Sequence, residues 1–120
     1  MEGTVPSAPA AVWAALAEPG KWWVRDAKVE FRAGGRYVMN GTIAALEPER
    51  RLSVLIPVRT PNVSFDTTLE VRLTPDGTGT RVSFEHTGPG VMAWMGETRE
   101  LERGWRETLV KLANYLKGVR

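Results

Sequence analysis

From residue 29 to residue 88 the chain alternates. Val29 and Phe31 bracket Glu30, and Tyr37, Met39, Gly41 and Ile43 keep one parity. Leu52, Val54, Ile56 and Val58 then form an apolar face of period two. Phe65, Thr67, Leu69, Val71 and Leu73 form another, with Asp66, Thr68, Glu70 and Arg72 on the opposite side, and Val82, Phe84 and His86 continue the inward face. A period of two is that of a strand with one face buried. Between these runs stand turn formers: Ala33-Gly34-Gly35, Glu47-Pro48-Glu49-Arg50, Pro61-Asn62, Pro75-Asp76-Gly77 and Gly88-Pro89-Gly90. Connections this short join antiparallel neighbours. They leave the register of the last hairpin open, because a bulge beside Gly77 or Gly79 would shift it.

The period changes at both ends. Leu101, Trp105, Leu109, Leu112 and Leu116 recur at helical spacing, which predicts an amphipathic helix from about Glu97 to Lys117, stopped by Gly118. Gly104 falls inside it at a cost of up to ~1 kcal/mol relative to alanine, so close backbone packing beside Trp105 is the expectation. Val91, Met92, Trp94 and Met95 could start the helix about two turns earlier. At the other end, Gly3-Thr4-Val5 reads as a short strand closed by Pro6. A helix then enters at Ala8-Pro9, because a residue before proline avoids the helical region while proline suits the first helical position; Ser7 is the competing cap. Val12, Trp13 and Leu16 are its buried face, Pro19-Gly20 ends it, and a second short turn carries Lys21-Trp22-Trp23. One apolar face shared by successive strands needs a cover, and the C-terminal stripe is that cover. The expected class is α+β in two layers, the sheet wrapped around the last helix.

Composition narrows the function. At 120 residues the chain holds one core, so a single domain over residues 1–120 is expected. It has no cysteine, which removes disulfides, thiolate metal sites and thiol nucleophiles. The start lacks a basic secretory n-region, and the longest mainly apolar run, Ala8 to Ala17, is too short to span a bilayer, so a cytoplasmic protein with no membrane span is expected. The net charge of +2 is mild and Arg50-Arg51 is the one adjacent basic pair, which argues against a nucleic-acid partner. Glutamine is absent and asparagine occurs only at 40, 62 and 114. Few thermolabile amides imply a heat-adapted chain, an expectation that a melting midpoint in the ordinary mesophile range would overturn.

Candidate chemistry is sparse. Gly34-Gly35 with Gly41 loosely resembles a phosphate loop, but no helix start follows, so a hairpin turn explains it better. His86, the one histidine, has no cysteine or inward carboxylate beside it, which leaves no metal site. Packing or a hydrogen bond to a strand end accounts for it first, a polar anchor for a ligand second, and proton transfer third. Glu30, Asp66, Glu70 and Glu85 face outward by alternation, so carboxylate pairs and nucleophile–base pairs are missing and no cofactor is implied. Of the five tryptophans, Trp13 and Trp105 belong to the core. One of Trp22 and Trp23 packs inward while the other lies near the rim. Trp94, with Met92 and Met95, would make either a helix-end contact or an adaptable pocket wall.

The order Ala8-Pro9-Ala10-Ala11-Val12-Trp13, Trp22-Trp23, Phe31-Arg32-Ala33-Gly34-Gly35-Arg36-Tyr37, Thr80-Arg81-Val82-Ser83-Phe84-Glu85-His86-Thr87-Gly88 and Gly104-Trp105 with Leu109, Leu112 and Leu116 resembles the START-like (SRPBCC) superfamily. The branch it is most similar to is related to the activator of the ninety-kilodalton heat-shock protein ATPase, in the part corresponding to the activator's C-terminal domain. The resemblance implies a helix-grip fold, an antiparallel sheet of six or seven strands gripping the long C-terminal helix around a hydrophobic cavity. It implies binding of a hydrophobic small molecule, with Trp23, Tyr37, Met39, Phe65, Thr67, Phe84, His86, Trp94 and Trp105 as candidate lining and Tyr37, Thr67 or His86 fixing orientation. The alternatives are a co-chaperone-like module acting on a chaperone ATPase, and a cyclase-type enzyme resting on His86 and Tyr37.

Overall fold

The alternating runs pair into a five-stranded antiparallel sheet. Its strands are β1 (Glu2–Val5), β2 (Thr42–Glu47), β3 (Arg51–Arg59), β4 (Ser64–Asp76) and β5 (Gly79–Thr87), in spatial order β1-β5-β4-β3-β2. Helix α1 (Pro9–Ala17) follows β1, and helix α2 (Thr98–Gly118) closes the chain. This is the architecture of a computed structural model that describes residues 2–59, 61, 64–88 and 98–118. The α+β helix-grip expectation holds, with five strands among the described residues where six or seven were expected.

Register follows side-chain parity. Leu52 faces Val71, Val54 faces Leu69 and Ile56 faces Thr67 across β3–β4. Leu69 faces His86, Val71 faces Phe84 and Leu73 faces Val82 across β4–β5. All of these side chains are buried. The β4–β5 hairpin closes with Asp76 opposite Gly79 and Gly77 at φ +61°, without a bulge; the irregular pairing lies instead between Ile43 and Ala45 on β2. On the outer face Arg51 reaches Glu70 at 2.7 Å and Glu47 at 3.1 Å, and Arg72 reaches Glu70 at 3.2 Å. The Arg51 hydrogen bonds hold the Glu70 carboxyl below the usual carboxylate range, so Arg51 of the basic pair serves cross-strand pairing.

Helix α1 starts as its sequence requires, with Ala8 extended at φ −65°, ψ 154° and proline in the first turn. It buries Val12, Ala15 and Leu16. Helix α2 buries Trp105, Leu112 and Leu116, and also Thr108, whose hydroxyl donates back to the Gly104 carbonyl at 3.0 Å. Leu109 is half-buried, and the close backbone approach lies beneath it: a Cβ on Gly3 of β1 would fall on the Leu109 side chain. Gly104, expected to mark such an approach, is exposed, and a Cβ there meets nothing within 4 Å. Gly104→Ala should therefore stabilise the protein by up to ~1 kcal/mol through helix propensity alone. A urea midpoint that fails to rise would contradict the open surface at this position.

The segment between the second aromatic turn and β2 departs from expectation. Val29 to Arg32 and Tyr37 to Met39 form no regular strands. The chain is instead tied by isolated bonds: Glu30 N–H to Arg36 O at 3.0 Å, Gly34 N–H to Ile43 O at 2.8 Å, and Ile43 N–H to Gly35 O at 2.9 Å. The reason is a tight turn at Val38–Gly41. Met39 and Asn40 both adopt positive φ (58° and 57°), and Gly41 N–H returns to Val38 O at 2.9 Å. Two consecutive left-handed residues are the requirement of a type I′ turn. The turn breaks the parity of the proposed strand, so Tyr37 and Val38 are both buried while Met39 is 42 % exposed.

Candidate functional site

Between the sheet and α2 the interior is built of stacked rings. Trp105 of α2 lies flat on Phe84 of β5, with centroids 5.3 Å apart and planes 8° apart. It meets Trp23 and His86 edge to face, at 6.1 and 5.6 Å. Trp23 in turn contacts Tyr37 at 6.1 Å and stacks on Trp22 at 5.3 Å. Tyr37 leads to Phe31 at 6.2 Å, and Phe31 to Trp13 at 5.3 Å. The rings thus form one continuous wall from α1 across to β5. Edge-to-face and offset contacts of this kind add stabilisation beyond buried area.

The wall is tied down at the end of α1. The last carbonyls of a helix lack partners within it. Here aromatic donors reach them: Trp22 Nε1–H donates to Ala15 O at 2.7 Å, which also accepts the Glu18 N–H at 3.1 Å, and the Tyr37 hydroxyl donates to Leu16 O at 2.6 Å. The adjacent tryptophans therefore divide their work, Trp22 capping α1 and Trp23 facing Trp105. Burial pushes the Tyr37 phenol well above its ordinary value, so it stays protonated and held on α1.

At the other end of the wall the proton inventory is determinate. The Thr67 hydroxyl lies 2.8 Å from Ile56 O and 2.7 Å from His86 Nε2. A carbonyl can only accept, so the single Thr67 proton goes to Ile56, and His86 must donate from Nε2. The imidazole is then the Nε2–H tautomer, with a bare lone pair on Nδ1. That Nδ1 is buried and has no hydrogen-bond partner among the described residues, and the same is true of Trp105 Nε1–H. Both residues are more than nine-tenths buried, at 8 % and 7 % exposure.

Burial also lowers the His86 pKa, which keeps the ring neutral at pH 7. The folded state thus binds fewer protons than the unfolded state between the depressed folded pKa and the unfolded value of about 6.5. This contribution to stability is complete above the unfolded value and is lost as pH falls through that window. The melting midpoint should drop from pH 7 toward pH 5, before carboxylates such as Glu70 titrate, and His86→Asn should flatten that part of the profile. An unchanged slope in the variant would exclude His86 as the source.

Of the candidate residues, Trp23, Tyr37, Thr67, Phe84, His86 and Trp105 form one contact network. Met39 is not part of it, because the turn at Val38–Gly41 carries it to the surface. Phe65 is half-buried toward the start of β4, where its carbonyl accepts from Arg59 at 2.7 Å. Trp94, with Met92 and Met95, lies outside the described residues. Trp13, Trp22 and Phe31 join the wall without having been candidates; their aromatic character and position beside the inward set were the available signal. The Gly34–Gly35 and Gly41 amides are all engaged, to Ile43 O, Arg32 O and Val38 O, which is the bonding of a turn and leaves none for an anion. Among the described residues there is no cluster of metal-ligating side chains and no helix long and apolar enough to cross a membrane.

Comparison with known proteins adds the family. No curated protein matches the chain significantly. Among solved structures, protein MLL2253 from Mesorhizobium loti is similar at 25 % identity and a TM-score of 0.78, over 100 % of this chain and 96 % of that one. CalU16 from Micromonospora echinospora is similar at 25 % identity and a TM-score of 0.74, over 98 % and 74 %. The Aha1 dimer from Colwellia psychrerythraea shares the fold, at 19 % identity and a TM-score of 0.67, over 97 % and 92 %. The family model described as Activator of Hsp90 ATPase homolog 1-like protein matches residues 6–117, nearly the whole chain. With its SRPBCC-type fold, a curved antiparallel sheet around a C-terminal helix, this chain belongs to the family of Activator of Hsp90 ATPase homolog 1-like proteins.

Proposed function

We propose that residues 1–120 act as one cytoplasmic domain that binds a hydrophobic small molecule between the sheet and α2. The observation that carries this reading is the pair of unpartnered polar atoms, His86 Nδ1 and Trp105 Nε1, at the end of an otherwise apolar aromatic wall. Burying a polar group without a partner costs on the order of 1–3 kcal/mol, so two on touching rings, unpartnered among the described residues, are where a ligand's polar group would be stabilised. The mechanism is burial of apolar ligand surface, at about 25 cal/mol per Å², with the polar pair setting orientation. Tyr37 and Thr67 act as supports in this reading, because their hydroxyl protons are committed to Leu16 and Ile56. Phe84, Trp105 and Trp23 supply the wall.

The test is titration with naphthalene, read by intrinsic tryptophan fluorescence, alongside native mass spectrometry of the freshly purified protein. Saturable quenching or a co-purifying lipid-like mass is expected. Linear, unsaturable quenching and a clean apoprotein mass, with the fold verified, would mean that the rings are a filled core.

A second reading, a co-chaperone-like module, is favoured by the family description and by the Aha1 name of a fold relative. It predicts stimulated ATPase activity of a heat-shock chaperone on addition of the pure protein, insensitive to substitutions at His86.

A further inference from the structure

We infer that Asn40 is a site of covalent self-modification held in check by the fold: the Asn40-Gly41 pair deamidates through its own backbone, and does so only when the Val38–Gly41 turn opens. The chain carries three asparagines and no glutamine. Asn62 precedes Val63 and Asn114 precedes Tyr115, so only Asn40 is followed by glycine. In this reaction the next backbone nitrogen attacks the side-chain carbonyl carbon, and a side chain on that next residue crowds the nitrogen. Glycine leaves it open. The structure explains why the fragile pair is kept. Asn40 is exposed and left-handed, φ 57°, a conformation that glycine, asparagine and aspartate tolerate best. Position 41 is buried, and a Cβ there would stand 2.6 Å from Val54 Cγ1 and 2.9 Å from Val38 O. The turn itself therefore favours asparagine at one position and demands glycine at the next.

The same turn disarms the pair. Ring closure requires the Gly41 nitrogen to eclipse Asn40 Cβ. In the left-handed region ψ stands near about +47°, which turns that nitrogen almost directly away from Cβ. Swinging it round means giving up Gly41 N–H to Val38 O and Tyr37 N–H to Gly41 O, both 2.9 Å. Once the turn opens, the Gly41 nitrogen gives its proton to solvent base and bonds to Asn40 Cγ, and the side-chain nitrogen takes up a proton and leaves as ammonia. Water then opens the cyclic imide. Cleaving the Cγ–N bond yields aspartate, which a left-handed turn accepts. Cleaving the bond between Gly41 N and the Asn40 main-chain carbonyl carbon yields isoaspartate, whose main chain runs through Cβ and is one carbon longer. That product cannot restore the turn, so Tyr37 N–H loses its partner on the strand side.

The test keeps the wild-type protein in mildly alkaline buffer, either folded or denatured in guanidinium, and digests it with trypsin at intervals. Cleavage after Arg36 and Arg50 releases residues 37–50, in which Asn40 is the one amide side chain. Its acid form, resolved by chromatography into aspartyl and isoaspartyl species, should accumulate at least about tenfold more slowly from the folded protein, by the same factor that protects the Gly41 amide from hydrogen exchange. Asn40→Gly suits the left-handed turn, so it should keep the fold and show no mass gain in this peptide. Equal rates in the folded and denatured chains would mean that the turn does not govern the reaction. Acid appearing first at Asn62 or Asn114 would mean that the site is wrong. Deamidation slowed far more than exchange at Gly41 would put the gate in global unfolding, and would overturn the role of this turn.

Discussion

Trp105→Ala should cost about 3–5 kcal/mol, the range for truncating a buried tryptophan. Its ring is the one that touches Phe84, Trp23 and His86 together, so truncation opens a hole that both β5 and the aromatic turn would have to move to fill. Domains of this size hold about 5–15 kcal/mol in total, so at least roughly a fifth of the stability rests on this side chain. Trp105→Phe should cost much less. It keeps a ring on Phe84 and removes an indole N–H that has no partner among the described residues, which offsets part of the lost contact. Val110→Ala, on the same helix but 53 % exposed, should fall within about 0.5 kcal/mol of wild type. Urea denaturation of the three variants separates these outcomes; an equal loss for alanine and phenylalanine would mean that the indole N–H matters more than the ring.

The chain announces its long-range plan where the pattern is regular. Three inward faces of one parity, from Leu52 to His86, pair in register, and the helical stripe at Trp105, Leu112 and Leu116 covers them. Those features are legible because burial acts on every second or every third to fourth residue, and so writes itself into composition. Hydrogen-bond partners do not. Val29 and Phe31 keep the parity of a strand, and both are half-buried, yet their backbone is tied at single points only. The deciding feature is the turn Val38–Gly41, with Met39 and Asn40 left-handed at its centre, inside an apparently continuous run; it reverses the chain and exposes Met39. Gly104 misled for a related reason: glycine beside tryptophan has the same local appearance whether it is packed or open.

The site was legible in its membership more than in its chemistry. Alternation put Thr67, Phe84 and His86 on the inward face, and helical spacing put Trp105 opposite them. Which polar atoms are already engaged depends on contacts between residues far apart in sequence. Tyr37 meets Leu16 twenty-one positions away, and His86 meets Thr67 nineteen away. No spacing rule reaches that far, so Tyr37, Thr67 and His86 look alike in the sequence as possible anchors. Among the described residues, His86 alone of these three keeps an unengaged buried atom, and Trp105, expected in the core and as candidate lining, keeps another.

Gly35→Ala should destabilise the protein by about 1–3 kcal/mol, as overpacking against rigid neighbours does. The added Cβ would be driven onto the Glu30 carbonyl oxygen, with the Glu30 carbonyl carbon and the Arg32 carbonyl oxygen each 3.0 Å away. All three are backbone atoms, so no side chain can swing aside. Gly35 also donates to Arg32 O and accepts from Ile43 N–H, both at 2.9 Å, which anchors the irregular segment to the edge strand β2. A shift at Gly35 therefore pulls on Arg36 and Tyr37, and through Tyr37 on the capped end of α1 and the ring of Trp23. Gly34→Ala provides the contrast. Its Cβ would stand in open space, but φ is +81°, so its penalty is conformational, about 1–2 kcal/mol. Hydrogen exchange tells the two apart. Gly35→Ala should speed exchange at the Ile43 and Glu30 amides and weaken naphthalene binding through Trp23, whereas Gly34→Ala should lower stability without altering the aromatic wall. Equal protection of those amides in both variants would show that the segment is held by its side chains, and that Gly35 is a turn residue like any other.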